Sequence, residues 1–253
     1  MKVSTYRNDQ LREEKTLWEA LRLQNEPHKI ISVVGAGGKS STIDQLAGEL
    51  AMQGLKVIVT TTTHIFQTDQ YPMICTASAQ DVANYNWKSR IVVVGSKAED
   101  NKLKGLPPTE ALRAYEYADI VLIEADGARR LPLKVPEEHE PCIIPETDVV
   151  IGVAGLDSIG TKFAEGCFRW EKAQKVLGKR TDFNRRTGEC ISEEDVAAIL
   201  TSEDGTRKSV GGRPYRVVLN KADDSEKEKS AIRVIEKIEE KSGVCCVVTS
   251  YRL

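Results

Sequence analysis

Residues 30–42 read Ile-Ile-Ser-Val-Val-Gly-Ala-Gly-Gly-Lys-Ser-Ser-Thr. An apolar, β-branched run ends in a glycine turn, and a helical pattern starts at the Lys-Ser pair. That order describes a phosphate cradle. The glycines let the backbone N–H groups of Gly35, Ala36, Gly37, Gly38, Lys39, Ser40 and Ser41 approach an anion closely. Lys39 adds a point charge for β- and γ-phosphates, and Ser40 offers its hydroxyl to Mg²⁺. The turn is short, because Val33 stands five positions before Gly38, where the common loop has its first glycine. The competing reading is a glycine-rich strand–helix turn that binds nothing.

Outward from this turn the chain alternates buried strands with helices. Strands are expected at 30–34, 56–60, 90–94, 119–125, 149–154, 215–219 and 244–249. Helices are expected at 39–53, 109–117 and 225–241. The strands are near-continuous apolar runs, as in a parallel sheet covered on both faces. The spacing of Leu11, Leu17, Trp18, Leu21 and Leu23 predicts an amphipathic N-terminal helix within residues 1–27, set off by Pro27. Residues 161–201 read as a small helical insertion with helices at 169–178 and 192–200, and 202–213 as a mobile polar loop. The expected fold is α/β and P-loop NTPase-like: one nucleotide-binding domain over residues 1–253, with a mostly parallel sheet between helices.

Composition narrows the class. The 253 residues carry 36 basic and 38 acidic side chains, a net charge of -2, which gives no general attraction to nucleic acid or an anionic membrane. The six cysteines form no Cys-x-x-Cys pair. Reduced thiols in a cytoplasmic protein are expected, with no zinc site or disulfide framework. No apolar run has the length of a membrane span, and residues 1–26 show no signal-peptide apolar region.

In open parallel sheets, ligands bind beyond the carboxyl ends of the strands. Thr60-Thr61-Thr62-Thr63-His64 follows the second strand, placing Thr62, Thr63 and His64 as substrate or anion contacts. The fourth strand ends in Glu124-Ala125-Asp126-Gly127-Ala128-Arg129-Arg130. Acidic residues there suit Mg²⁺ and the orientation of an attacking group, so Lys39, Glu124 and Asp126 are the catalytic candidates and Ser40, Glu124 and Asp126 the metal candidates. Arg129 and Arg130 suit an anionic substrate, or are surface charges. Leu131 to Pro141 reads as an ordered loop over the site. Asn220-Lys221-Ala222-Asp223 follows the sixth strand. Asn220 and Asp223 are the expected base readers, with the Lys221 stem packed over the base: the Asp carboxylate accepts from the guanine N1–H and amine, which adenine cannot satisfy. The alternative is a turn opening the next helix.

Together these stretches resemble the YqeC family of selenium-dependent hydroxylase accessory proteins, from Ile30 to the C-terminus. The carriers are the glycine turn, Thr61 to His64, Glu124 to Lys134, His139-Glu140-Pro141, Gly155-Leu156-Asp157 and Asn220 to Asp223. The turn also resembles the Gly-x-x-Gly-Lys-Thr/Ser loop of Mur ligases, a likeness of fold only. The family resemblance implies a His-Arg pair before the helix near residue 170. Phe168-Arg169 stands there, leaving Arg169 as the anion contact. It further implies a role in maturing a selenium-dependent molybdenum hydroxylase or its cofactor, with that enzyme or cofactor as partner. The expected chemistry is Mg²⁺-dependent binding and hydrolysis of GTP or ATP. A ligase- or kinase-like transferase activating a small acceptor and a nucleotide-switched chaperone are the alternatives.

Overall fold

The computed structural model describes residues 1–25, 29–177 and 190–251. Pro27, and residues 178–189 of the expected insertion, lie outside them. The chain is a mixed α/β protein with a large, mostly parallel sheet flanked by helices. Its strands are β1 (Lys2–Arg7), β2 (Gln10–Glu13), β3 (Ile30–Gly35), β4 (Val57–Thr61), β5 (His64–Phe66), β6 (Met73–Cys75), β7 (Ile91–Lys97), β8 (Lys102–Lys104), β9 (Ile120–Glu124), β10 (Leu133–Lys134), β11 (Val149–Gly155), β12 (Cys167–Phe168), β13 (Tyr215–Asn220) and β14 (Cys245–Ser250). The helices are α1 (Leu17–Ala20), α2 (Lys39–Met52), α3 (Ala79–Ala83), α4 (Pro108–Tyr115), α5 (Phe163–Gly166), α6 (Ala173–Val176), α7 (Glu193–Thr201) and α8 (Ser225–Ser242).

The large sheet has the order β2-β1-β14-β13-β11-β3-β9-β4-β7-β8-β5, with β6 also on β7. From β14 to β7 every pairing is parallel, and both edges are antiparallel. Strand alternation divides the core. Ile31 and Val33 face α2, while Ile30 and Val34 face the opposite layer of α3, α4, α7 and α8. The order turns around β3: chain segments lead one way to β9, β4 and β7, and later ones the other way to β11, β13 and β14. The carboxyl ends of β3, β9, β11 and β13 are therefore neighbours, with the glycine turn between them.

The N-terminal helix expected within residues 1–27 is replaced by a β1–β2 hairpin and a single helical turn. Asn8 and Asp9 both take left-handed backbone (φ 50° and 60°), the geometry of a two-residue hairpin turn. Lys2 to Thr5 then pair with Ser250 to Val247, covering the open edge of β14. Thr16 caps α1, and the buried Glu49 of α2 accepts from the Leu17 and Trp18 amides. The apolar spacing that suggests one long helix thus serves a strand pair and a short capped turn.

The described part of 161–201 is more mixed than a helical insertion, since β12 pairs with β10 in a small second sheet. The segment expected as a mobile loop, 202–213, is pinned. Lys208 Nζ donates to the Glu137 and Glu138 carbonyls, and Arg213 donates to those of Thr147, Pro145 and Val210. No helix among the described residues is long and apolar enough to cross a membrane.

Candidate functional site

The glycine turn is glycine-rich because neighbouring backbone leaves no room for side chains. Gly37 has φ +73°, and a Cβ on it would lie 2.2 Å from Gly155 N and 2.5 Å from Pro132 O. A Cβ on Gly38, φ +137°, would lie 2.0 Å from Asn220 Nδ2. The turn's first three amides are used internally. Gly35 donates to Asp126 Oδ2 (3.1 Å), Ala36 to Val153 O (2.9 Å) and Gly37 to Leu131 O (3.1 Å). The segment after β9 therefore does lie over the turn. Donors for an external anion come instead from the open end of α2, the Gly38, Lys39, Ser40 and Ser41 amides, which have no i−4 acceptor.

Beside this helix end runs a chain of alternating charges. Lys39 Nζ donates to Gly35 O (2.8 Å) and lies 3.2 Å from Asp126 Oδ1 and 3.8 Å from Glu124 Oε1. Ser40 Oγ donates to Glu124 Oε2 (3.1 Å). Asp126 Oδ2 meets Lys134 Nζ at 2.9 Å, and Lys134 Nζ meets Glu140 Oε2 at 2.6 Å. Arg169 then bridges Glu140 and Glu137, and Lys172 closes on Glu137. Burial pushes the Glu124 carboxyl above its ordinary value, opposed by Lys39 and Ser40. Burial acts the same way on Glu140, but the hydrogen bonds from Arg169 and Lys134 outweigh it and hold that carboxyl low.

The other sequence candidates fall into two groups. Thr60 and Thr62 hydroxyls donate to Val94 O and Cys142 O, and Thr61 donates to Glu124 O while accepting from the Thr63 amide. These threonines stitch β4 to its neighbours. His64 is exposed on β5, opposite Lys104. Arg129 lies over the Phe168 ring at 5.1 Å, and Arg169 lies over the same ring at 4.3 Å. Arg130 lies over Phe66 at 5.1 Å. Arg169 is thus held by two carboxylates, whereas no carboxylate among the described residues pairs with Arg129 or Arg130.

The third part of the site is the end of β13. Asn220 Nδ2 donates to Gly37 O (2.9 Å), and its Oδ1 accepts from Thr249 Oγ1 (3.0 Å). One amide thereby ties the glycine turn to β13 and β14. Lys221, with left-handed backbone (φ 66°), pairs with Asp157 at 2.6 Å. Asp223 accepts from Ser250 Oγ (2.7 Å). The N-cap of α8 is Asp224.

A family model described as YqeC protein matches residues 31–171, from within β3 through Arg169. An Escherichia coli (strain K12) protein named "Uncharacterized protein YqeC" is 35% identical over 187 residues, covering 72% of this chain and 71% of its own. The chain belongs to the YqeC family.

The YqeC match encloses the glycine turn and the charge chain from Lys39 to Arg169, and ends before Lys172 and Asn220. Four members of that chain, Lys134, Glu137, Glu140 and Lys172, are not among the sequence candidates. Lys134 and Glu140 sit in a proline-rich stretch where charge normally means solvent, and nothing local marks them as buried. The signal available was the pairing of Leu131-Pro132-Leu133-Lys134 with the acidic strand end just upstream.

Proposed function

We propose that this YqeC-family chain is a P-loop nucleotide-binding protein that binds and hydrolyses a nucleoside triphosphate with Mg²⁺, GTP ahead of ATP. The observation that carries the reading is the convergence of the Ser40 hydroxyl and the Glu124 carboxylate, 3.1 Å apart, at the open end of α2 beside Lys39. Mg²⁺ in such sites takes one or two protein oxygens and completes its shell with phosphate and water. A hydroxyl and a carboxylate fit that demand. Asp126 Oδ1, buried with no hydrogen-bond donor and only Lys39 Nζ alongside, is the adjacent reserve of negative charge.

Each residue has a role in this reading. The Gly38–Ser41 amides hold phosphate oxygens. Lys39 exchanges its carboxylate contacts for the β- and γ-phosphates, and Asp126 keeps its position through Lys134. Ser40 and Glu124 would hold Mg²⁺, which would supply positive charge to offset that on the transferred phosphoryl group. Asn220 fixes the turn, and Asp223, oriented by Ser250, reads the guanine edge once Lys221 leaves Asp157 for the base. Family membership supports a role as accessory factor in maturing a selenium-dependent molybdenum hydroxylase or its cofactor.

A second reading, a ligase- or kinase-like transferase, is favoured by Arg129 and Arg130 beyond β9, which lie over aromatic rings, pair with no carboxylate among the described residues and suit an acceptor. Thermal unfolding with Mg²⁺-GTP, Mg²⁺-ATP and their diphosphates tests the common core. A nucleotide at about 100 times its Kd adds roughly 2.7 kcal/mol, and Lys39→Ala removes the shift. No shift with any nucleotide overturns the reading. For the base, Asp223→Asn weakens GTP and favours a xanthine nucleotide. Unchanged GTP affinity in that variant removes the guanine assignment.

A further inference from the structure

One charged surface shares only Arg130 with these roles. In the antiparallel β5–β8 pair, Ile65 opposes Leu103 and both turn inward. His64 opposes Lys104 and Phe66 opposes Lys102, so these four side chains share the outer face. Phe66 is 57% exposed. Lys102 Nζ lies 5.4 Å from its ring centre, and the Arg130 guanidinium arrives from the end of β9 to 5.1 Å. Among the described residues no carboxylate pairs with His64, Lys102, Lys104 or Arg130. A chain of net charge -2 that leaves so many cations unpaired around one exposed ring offers charge complementarity to an anion.

The patch also meets the carboxyl end of β4, on the side of the sheet where the glycine turn lies. A Cβ on Gly105 would lie 2.2 Å from Thr61 O, so β8 is pressed against the end of β4. Arg130 is followed directly by Leu131, whose carbonyl accepts the Gly37 amide. The strand pair is only three residues long on each side, which fits one small molecule better than a polymer.

We infer that the outer face of β5–β8, with His64, Phe66, Lys102, Lys104 and Arg130, is a binding site for a small organic anion, one carrying a phosphate or carboxylate on an aromatic or other flat group. Its role as co-substrate, presented toward the nucleotide, rests on the proposed function. The anion binding itself does not. The cations supply charge-assisted hydrogen bonds, and Phe66 supplies an apolar surface stiffened by the two cations over it.

Isothermal titration with phenyl phosphate tests this on wild type, on Lys39→Ala and on a Lys102→Ala/Arg130→Ala variant. The expected result is saturable binding by wild type and by Lys39→Ala, with affinity lowered about tenfold or more in the double variant, as for loss of charge-assisted contacts, and falling with added salt. Absence of saturable binding overturns the inference. So does binding that Lys39→Ala abolishes and the double variant retains, since the anion then sits at the glycine turn. Tighter binding of a short single-stranded oligonucleotide than of phenyl phosphate overturns the small-molecule assignment. Thermal shifts with Mg²⁺-GTP on the double variant keep the two readings apart: a retained shift with lost phenyl phosphate binding places any failure in one site alone.

Discussion

Lys134 Nζ lies 2.9 Å from Asp126 Oδ2, on a lysine side chain that is 1% exposed. Its other two partners are Glu140 Oε2 and the Gly127 carbonyl, each at 2.6 Å. An ammonium has three donors, and all three are used. Asp126 in turn accepts the Gly35 amide, so the buried lysine sets the first residue of the glycine turn through one carboxylate. Removing one partner of a buried pair leaves the other charge uncompensated. Lys134→Met is expected to cost about 3–5 kcal/mol on that basis, read as a lower urea midpoint. Adding Asp126→Asn to Lys134→Met recovers part of the loss, because the stranded charge is gone. An unchanged midpoint in the single variant contradicts the pinning role.

Gly37→Ala tests the turn itself. The added methyl meets Gly155 N and Pro132 O, both backbone, and the residue must hold φ +73°. Neither neighbour can turn away as a side chain can. The strain of a non-glycine residue there is about 1–3 kcal/mol before any clash. The variant is expected to lower the thermal midpoint and to lose its response to Mg²⁺-nucleotides. A variant as stable and as responsive as wild type would show that the turn is looser than its contacts imply.

The sequence discloses the central sheet because each parallel strand, buried on both faces, is a continuous apolar run such as Ile30 to Val34. It hides the antiparallel edges. Lys2 to Thr5 has a single apolar side chain although Val3, Ser4 and Thr5 are all buried, and its pairing with β14 bridges nearly the whole length of the chain. The hairpin turn at Asn8-Asp9 is a two-residue signal inside a pattern that also fits a helix. At the site, the glycine turn and the acidic end of β9 are local and readable. The charge chain is not, because Lys134, Glu140 and Arg169 meet only when β10 and β12 pair. The Thr60 to Thr63 run misleads in the other direction: four hydroxyls at a strand end suggest a ligand, yet Thr60, Thr61 and Thr62 donate to neighbouring carbonyls.

Asn220 makes a separable prediction. Its amide bridges the Gly37 carbonyl and the Thr249 hydroxyl while 2% exposed. Asn220→Ala leaves both groups buried without that partner, at about 1–3 kcal/mol. The nucleotide response is expected to weaken for GTP and ATP alike, since the turn and not the base is affected. Asp223→Asn, by contrast, acts on GTP alone. Titration of both nucleotides against both variants separates the clamp from the reader, and selective loss of GTP in Asn220→Ala would contradict the division.

Glu124 and Glu140 are expected to give opposite pH dependence of stability. The folded-state value of Glu124 is raised, chiefly by burial, so the folded protein holds this proton more tightly than the unfolded chain. Its contribution is full below the unfolded value and is lost as pH rises through the raised folded value. Glu140 runs the other way. Burial raises it, but Arg169 and Lys134 together bring it below the ordinary range. Its contribution is present above the unfolded value and lost as pH falls through the lowered one. Urea unfolding across the acid range, repeated for Glu124→Gln and Glu140→Gln, reads both slopes. Relative to wild type, Glu124→Gln gains stability as pH rises through the raised value, and Glu140→Gln loses its disadvantage as pH falls through the lowered one. Mg²⁺ needs Glu124 ionised, so in the proposed function Mg²⁺-nucleotide affinity also climbs through the same raised value, and Glu124→Gln flattens that climb. Parallel slopes in the two variants would mean that Lys39 and Ser40 outweigh burial at Glu124.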